Sequence, residues 1–307
     1  MTKPFVRPDV AALLEIMNRP GAKRAVDVSL EEARNMMIVS RNLFDAPTGD
    51  LAVIRDVEGG PCPLRLYDAR AERAAGPVLV FFHGGGFVLG DLDTHEPLCA
   101  EIARLTDMPV VSVGYRLAPE HPFPAGVEDS IAAARWVAGS PDALGREVSG
   151  LVLAGDSAGG NFSIVAGLSL RDQPAAVPLR ALWPMYPAAN PTRHYGSLDQ
   201  YGEGFLLSRA SMNWFDECYR PVRDDWRYDP LQQTVAGLPP MLVVTASLDP
   251  IRDQGRAFAA ACTASGVQTM YLECEGTIHG FLNLRKALPS AQTDLERCVA
   301  HLKLLLD

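Results

Sequence analysis

The most informative stretch of this chain is LVLAGDSAGGN, residues 151–161. Four apolar residues end abruptly at a G-x-S-x-G pentapeptide, and a run of small residues that can continue as a helix follows it. A strand, this motif and then a helix are typical of a nucleophile elbow, a strained turn that raises a serine above the strand end. The alternative is a serine that only caps the helix in a small-residue turn. A nucleophile also needs a base, an orienting acid and oxyanion donors, so the rest of the chain must supply them.

Segments with strand and helix patterns alternate on both sides of this motif. Continuous apolar runs are typical of strands buried on both faces, and two short strand patterns precede the first of these runs. The predicted strands outside the motif cover residues 51–55, 64–67, 78–82, 110–113, 179–185, 241–245 and 268–272. Helical patterns between them predict an α/β fold with a mostly parallel sheet covered on both faces. Ligands bind at the carboxyl ends of such strands, where the G-x-S-x-G motif lies.

Two regions depart from this alternation. Residues 1–45 carry two predicted helices, 8–20 and one that runs to about residue 44 from a capping box at Ser29 and Glu32. The stretch 187–240 carries one, from 208 to about 219, and so long an interruption is usually functional. We interpret 1–45 and 187–222 as two parts of a cap over a core formed by 46–186 and 223–307. The alternatives are an ordinary N-terminal extension and a surface insertion on the core edge.

The apolar run 78–82 ends in HGGGF, residues 83–87, which leaves backbone amides uncovered. Such a loop suits a phosphate or an oxyanion. A dinucleotide fingerprint would need a third glycine where Leu89 stands, and the chain has no Walker G-K-[ST] sequence. HGGG ahead of a later G-x-S-x-G is instead the oxyanion-hole loop of lipase- and esterase-type hydrolases.

Two more residues complete a catalytic set with Ser157. Asp249 follows the predicted strand 241–245, and His279 lies in a glycine-flanked loop after the next strand. Asp253 competes with Asp249, but we expect it to cap a helix over 254–264. The order Ser157, Asp249, His279 is that of α/β-hydrolases and differs from those of chymotrypsin and subtilisin. His121 lies in a proline-rich loop and is a weaker candidate for the base.

The composition excludes several classes of partner. A net charge of −9 over 307 residues argues against nucleic acid and anionic membrane, which both require a basic face. The chain begins without a secretory h-region and contains no run long enough to span a bilayer, so we expect a cytoplasmic protein. Its six cysteines show no C-x-x-C spacing, which predicts reduced thiols. We expect no metal and no organic cofactor. The sequence leaves a monomer and a homodimer open.

Five motifs together carry a family resemblance. HGGGF, YRLAPEHPFPA, GDSAGGN, DPIRDQG and HGF follow one another between residues 81 and 281. With them the chain closely resembles the hormone-sensitive-lipase family of bacterial carboxylesterases, in its GDSAG branch. The resemblance implies an α/β-hydrolase with an eight-stranded sheet and a helical cap, acting on esters of short- to medium-chain acids. DPIRDQG has Ile and Gln where Leu and Glu are more usual, which leaves the aspartate untouched.

The roles follow from the triad mechanism and the resemblance. Ser157 attacks the ester carbonyl, His279 moves the proton, and Asp249 holds the imidazole tautomer. The amides of Ala158, Gly85 and, by resemblance, Gly86 or Gly84 receive the oxyanion. We expect Phe87, Met212 and Phe215 to wall the acyl pocket, and His83 to hold the glycine loop in shape.

Two rival functions remain. An amidase or peptidase can use the same triad, although residues 187–240 suggest no peptide-docking site. A non-catalytic ligand receptor on the same fold typically lacks the histidine that this chain has at position 279.

Overall fold

Eight strands form one sheet in the computed structural model, which describes residues 4–307. The order across the sheet is β1-β2-β4-β3-β5-β6-β7-β8. β2 is antiparallel to both of its neighbours and every other pair is parallel. The strands are β1 Val53–Val57, β2 Leu64–Asp68, β3 Gly76–Phe82, β4 Val110–Val113, β5 Val148–Asp156, β6 Leu179–Met185, β7 Met241–Leu248 and β8 Thr269–Ile278. This confirms the predicted fold class.

Nine α-helices accompany the sheet in this part of the chain. They are α1 Pro8–Met17, α2 Leu30–Phe44, α3 Glu96–Thr106, α4 Ala125–Ala138, α5 Ala158–Asp172, α6 Gly196–Tyr201, α7 Arg209–Tyr219, α8 Arg252–Ala264 and α9 Pro289–Leu306. None of them is long and apolar enough to cross a membrane. The capping box predicted at the start of α2 is present, since the side chains of Ser29 and Glu32 each accept from the other's amide.

Two apolar clusters lie on opposite faces of the sheet, which explains the continuous apolar runs of the central strands. In β3, Val78, Val80 and Phe82 join the cluster under α4, α5 and α8, whereas Leu79 and Phe81 join the one under α3 and α9. Successive side chains of a strand point to opposite faces, so a strand that is covered twice needs apolar residues at every position.

The N-terminal helices lie on two sides of the core. Val10 and Leu13 of α1 are buried in the cluster that also contains α9, and the Arg7 guanidinium pairs with Asp294 at 2.5 Å. In α2, Arg34 donates to the backbone oxygens of Val88 and Ala118, each at 3.1 Å. Both helices are therefore attached to the core. The first three residues of the predicted cap lie outside the described range.

Some element predictions were wrong. The region 187–222 contains two helices, α6 and α7, where the sequence predicted one. Helix α6 was missed because it is too short to show a helical period. Strand β8 runs to Ile278, six residues past its predicted end, since pairing with β7 continues where polar residues interrupt the apolar pattern. Helix α8 begins at Arg252 after an Ile251 N-cap without a side-chain bond, so Asp253 lies in the first turn and does not cap it.

Candidate active site

Ser157 lies at a tight turn between β5 and α5. Its φ of 56° and ψ of −113° are strained for a residue with a side chain. A Cβ on Gly155 would overlap the carbonyl oxygen of Gly159, and one on Gly159 would overlap that of Phe82. The two glycines therefore let strand, turn and helix approach each other closely. Ser157 occupies the N-cap position of α5, but its side chain accepts no hydrogen bond from the helix amides, unlike a capping serine.

A chain of hydrogen bonds joins Ser157 to two residues at the ends of neighbouring strands. His279 Nε2 lies 2.8 Å from Ser157 Oγ, and His279 Nδ1 lies 2.7 Å from Asp249 Oδ2. Asp249 directly follows β7 and is fully buried, and His279 directly follows β8 and is 8% exposed. The other Asp249 oxygen accepts the Ile251 N–H at 2.8 Å. The three residues are thus at hydrogen-bond distance in the order that a triad requires.

The other candidate residues lie elsewhere. The Asp253 carboxylate accepts the Ser197 N–H at 3.0 Å and pairs with Arg252 at 2.8 Å, and it contacts no histidine within residues 4–307. Burial raises its pKa, but the hydrogen bond and the charge of Arg252 lower it overall. His121 is solvent-exposed and makes no hydrogen bond to Ser157.

The glycine loop approaches the elbow and leaves several amides free. Within the described residues, the N–H groups of Gly85, Gly86 and Ala158 donate to no protein acceptor. The Gly84 amide is different, because it donates to Asp156 Oδ1 at 2.7 Å. A donor engaged by a buried carboxylate cannot receive an oxyanion, which leaves Gly85, Gly86 and Ala158 as the candidates.

His83 holds this loop from the side. Its Nδ1–H donates to the Gly84 carbonyl at 2.8 Å, and its ring stacks on Tyr115 at a centroid distance of 4.2 Å. The Tyr115 hydroxyl donates to the His83 carbonyl at 2.6 Å. Burial, followed by repulsion from His95, lowers the pKa of His83 to about 4. The ring is therefore neutral at ordinary pH, and its buried Nε2 has no partner in this part of the chain.

A cavity of about 400 Å³ opens above Ser157 and His279. Its walls come from both regions that we interpreted as a cap: Met17, Met36, Met37, Leu206, Leu207 and Phe215. The Asn18 side chain donates to the Gly204 carbonyl at 2.9 Å and so connects these two regions. The apolar wall and the reactive groups therefore share one space.

The three predicted pocket residues have different positions. Phe215 lines the cavity and lies against the glycine loop, since a Cβ on Gly86 would overlap its ring. Phe87 is buried and stacks on Tyr219 at 4.1 Å, and neither Phe87 nor Met212 is among the cavity-lining residues. Phe87 adopts a positive φ of 66°, which the sequence does not reveal.

Sequence reasoning missed three polar residues near the site. Asp156, His95 and Asn283 line the cavity, and His95 and Asn283 each contact the Asp156 carboxylate. Asp156 was visible within the GDSAG motif, but its three partners lie in other segments. Tyr186, whose ring lies 5.0 Å from that of His279, was also missed. No metal-binding group of three or more His, Cys, Asp or Glu residues occurs within residues 4–307, and the absence of a cofactor stays a prediction.

The sheet order, the elbow and the Ser157–His279–Asp249 chain define a hydrolase of the α/β-hydrolase class. The family model described as alpha/beta hydrolase fold matches residues 79–283. The carboxylic ester hydrolase LipN of Mycobacterium tuberculosis is 41% identical over 73% of this chain, which spans 62% of that relative. The ethyl acetate hydrolase of Pseudomonas putida is 32% identical over 97% of this chain and 98% of its own length.

A solved structure shows the same likeness. An ester-hydrolase from the metagenome of Lake Arreo, in complex with a bipyridine phosphonate derivative, superimposes with a TM-score of 0.89. It is 35% identical and the match covers 96% of this chain and 97% of that one. The chain belongs to the hormone-sensitive-lipase family of carboxylesterases in the α/β-hydrolase superfamily and is a carboxylic ester hydrolase.

Proposed function

We propose that the protein hydrolyses esters of short- to medium-chain acids through a Ser157–His279–Asp249 triad and an acyl-enzyme intermediate. The observation that carries the proposal is the continuous hydrogen-bond chain of 2.8 and 2.7 Å beneath an apolar cavity. Each member has the environment that its role requires. Ser157 has a strained backbone and is open to the cavity, and His279 lies between Ser157 and Asp249. Asp249 is buried, and its second oxygen accepts a backbone amide.

The reaction proceeds in two halves. His279 Nε2 accepts the Ser157 proton as Oγ bonds to the ester carbonyl carbon, and the carbonyl becomes a tetrahedral oxyanion. The C–O bond to the alcohol then breaks, and the imidazolium returns the proton to the departing alcohol. Water, deprotonated by His279, attacks the acyl-enzyme in the same way, and Ser157 leaves with the proton. Asp249 holds the proton on Nδ1 throughout and stabilises the imidazolium.

The oxyanion is received by the free amides of Gly85, Gly86 and Ala158. The Ala158 amide also lies at the N-terminus of α5, where the helix dipole favours negative charge. The loss of one such donor in an unrelated hydrolase costs roughly 3 kcal/mol of transition-state stabilisation. Gly84 has no part in this proposal, because its amide is already bound to Asp156.

The substrate range follows from the cavity. We assign residues 1–45 and 187–222 to a cap, supported by their mutual contact and by the walls that both contribute. Each acyl methylene that these walls remove from water should contribute about 0.8 kcal/mol, until the cavity is full. The ethyl acetate hydrolase relative acts on a small ester, which supports the same substrate class for this chain.

The test combines labelling with kinetics. An aryl phosphonate should react with Ser157 in the intact protein, and Ser157→Ala should abolish both labelling and hydrolysis of p-nitrophenyl butyrate. Ser169→Ala, at the far end of the same helix, is the matched control and should leave both unchanged. The anilide of butyric acid separates the rival functions. Turnover of the anilide at a rate comparable to the ester would favour an amidase, and a protein that labels at no serine would favour a receptor. A cytoplasmic location stays a prediction from the sequence, which leaves a monomer and a homodimer open.

A further inference from the structure

Asp156 lies between Gly155 and the candidate nucleophile, and the triad mechanism gives it no role. It is buried at the end of β5, with 3% of its surface exposed. An ionised side chain in such a place is costly unless every oxygen is hydrogen-bonded. Its contacts therefore indicate what the charge is for.

Three separate segments contact this carboxylate. The Gly84 N–H donates to Oδ1 at 2.7 Å, and His95 Nε2, at the start of α3, lies 3.4 Å from the same oxygen. The Asn283 side-chain amide donates to Oδ2 at 3.1 Å, from the turn four residues beyond His279. Asp156 thus connects the glycine loop with the loop that carries the candidate base.

These contacts favour a carboxylate. An ionised carboxylate only accepts hydrogen bonds, whereas an asparagine would direct an NH₂ group toward one of these donors. Burial raises the pKa of Asp156, but the charge of His95 and the hydrogen bonds from His95 and Gly84 lower it overall. The site therefore keeps the group ionised in spite of its burial.

The contact with Gly84 orients the next amide. The Gly84 N–H is bound to Asp156 and the Gly84 carbonyl to His83 Nδ1, so both sides of this residue are fixed. In a planar trans peptide the Gly85 N–H points opposite to the Gly84 carbonyl. It is thereby directed away from His83 and remains free. The approach is close, since a Cβ on Gly84 would lie 2.5 Å from Asp156 Oδ2.

We propose that Asp156 is a positioning residue, whose carboxylate holds the Gly85 amide and the loop after His279 in register with Ser157. This role rests on the proposed function, because only a reaction through Ser157 needs that register. Asp156 makes no hydrogen bond to Ser157, His279 or Asp249 in the described residues, so it acts through the loops that it contacts. Its loss should weaken transition-state stabilisation while leaving substrate binding in the apolar cavity nearly unchanged.

The experiment compares Asp156→Asn with the intact protein after titration of the reactive serines with an aryl phosphonate. We expect kcat per titrated serine to fall on the order of 100-fold, as for the loss of one oxyanion donor, with KM changed by less than about threefold. The affinity for a trifluoromethyl ketone, which forms a tetrahedral oxyanion on the serine, should fall by a similar factor. Asp172→Asn, at the exposed end of α5, is the matched control and should change none of these values.

The outcomes separate the two proposals. If phosphonate fails to label Ser157 in the intact protein, the proposed function is wrong. If it labels Ser157 while Asp156→Asn keeps the full kcat per titrated serine and the full ketone affinity, only the positioning role is refuted. A merely structural role would lower the number of titratable serines and leave kcat per serine unchanged, which also refutes it. If Asp156→Asn does not fold, Asn283→Ala removes the Oδ2 contact alone and should lower kcat per titrated serine several-fold, and an unchanged value would overturn the proposal.

Discussion

Replacing Asp249 with asparagine tests the order of the triad. The variant has almost the same size, so the fold should persist. Its amide orientation is fixed by the structure, because the Ile251 N–H at 2.8 Å needs an oxygen where Oδ1 now lies. The NH₂ group must then replace Oδ2, 2.7 Å from His279 Nδ1.

This orientation reverses the histidine tautomer. An NH₂ group donates to Nδ1, so the imidazole proton moves to Nε2, the nitrogen that lies 2.8 Å from Ser157 Oγ. A protonated Nε2 cannot accept the serine proton. The same substitution in a serine protease of unrelated fold lowers kcat about 10⁴-fold, which corresponds to roughly 5 kcal/mol. We expect a loss of that order here.

The assay is the steady-state hydrolysis of p-nitrophenyl butyrate, with kcat expressed per titrated serine. Asp253→Asn is the matched control, because its carboxylate binds Ser197 and Arg252 and contacts no histidine in residues 4–307. It should retain kcat within about twofold. An active Asp249→Asn variant beside a crippled Asp253→Asn variant would refute the assignment.

Three further predictions concern His83, the glycine loop and the cap. Because burial lowers the pKa of His83 from 6.5 to about 4, only the unfolded chain binds this proton between those values. The stabilisation that comes from keeping His83 neutral is therefore fully present above pH 6.5. The free energy of unfolding falls by about 3 kcal/mol as the pH drops toward 4. Urea unfolding should show this slope, His83→Asn should flatten it, and an equal slope in both proteins would contradict the reasoning. Gly86→Ala should lower kcat/KM at least tenfold, since its Cβ overlaps Phe215 and its φ of 61° disfavours a side chain. Adding Phe215→Ala should restore part of the loss, and a purely additive double variant would exclude the clash. Activity should rise from acetyl to butyryl or hexanoyl esters and then fall steeply, while a chain without residues 1–45 should show a blunted profile and should aggregate more readily. An unchanged profile in the truncated protein, or undiminished turnover of emulsified long-chain triglycerides by the intact one, would count against the cap.

The fold and the family could be predicted from the sequence. The continuous apolar runs predicted buried parallel strands, because a strand covered on both faces has no position for polar side chains. The elbow was visible because the close approach of β5, α5 and the loop after β3 requires glycines at fixed positions around the serine. Helix α2 was predicted with its cap, since a capping box needs only residues three apart. Features that depend on residues close together in the chain can therefore be predicted from the sequence.

Which side chains and amides contact each other could be seen only in the folded chain. Asp249 and Asp253 are four residues apart and equally acidic, but only Asp249 contacts His279, which is 30 residues further along the chain. The Gly84 amide is taken by Asp156, 72 residues away, while the neighbouring amides stay free. Phe87 packs in a buried aromatic stack and Phe215 lines the cavity, although the sequence predicted that both would wall the acyl pocket. Side-chain direction and hydrogen-bond partners depend on how distant segments pack, and a single sequence carries no local record of that packing.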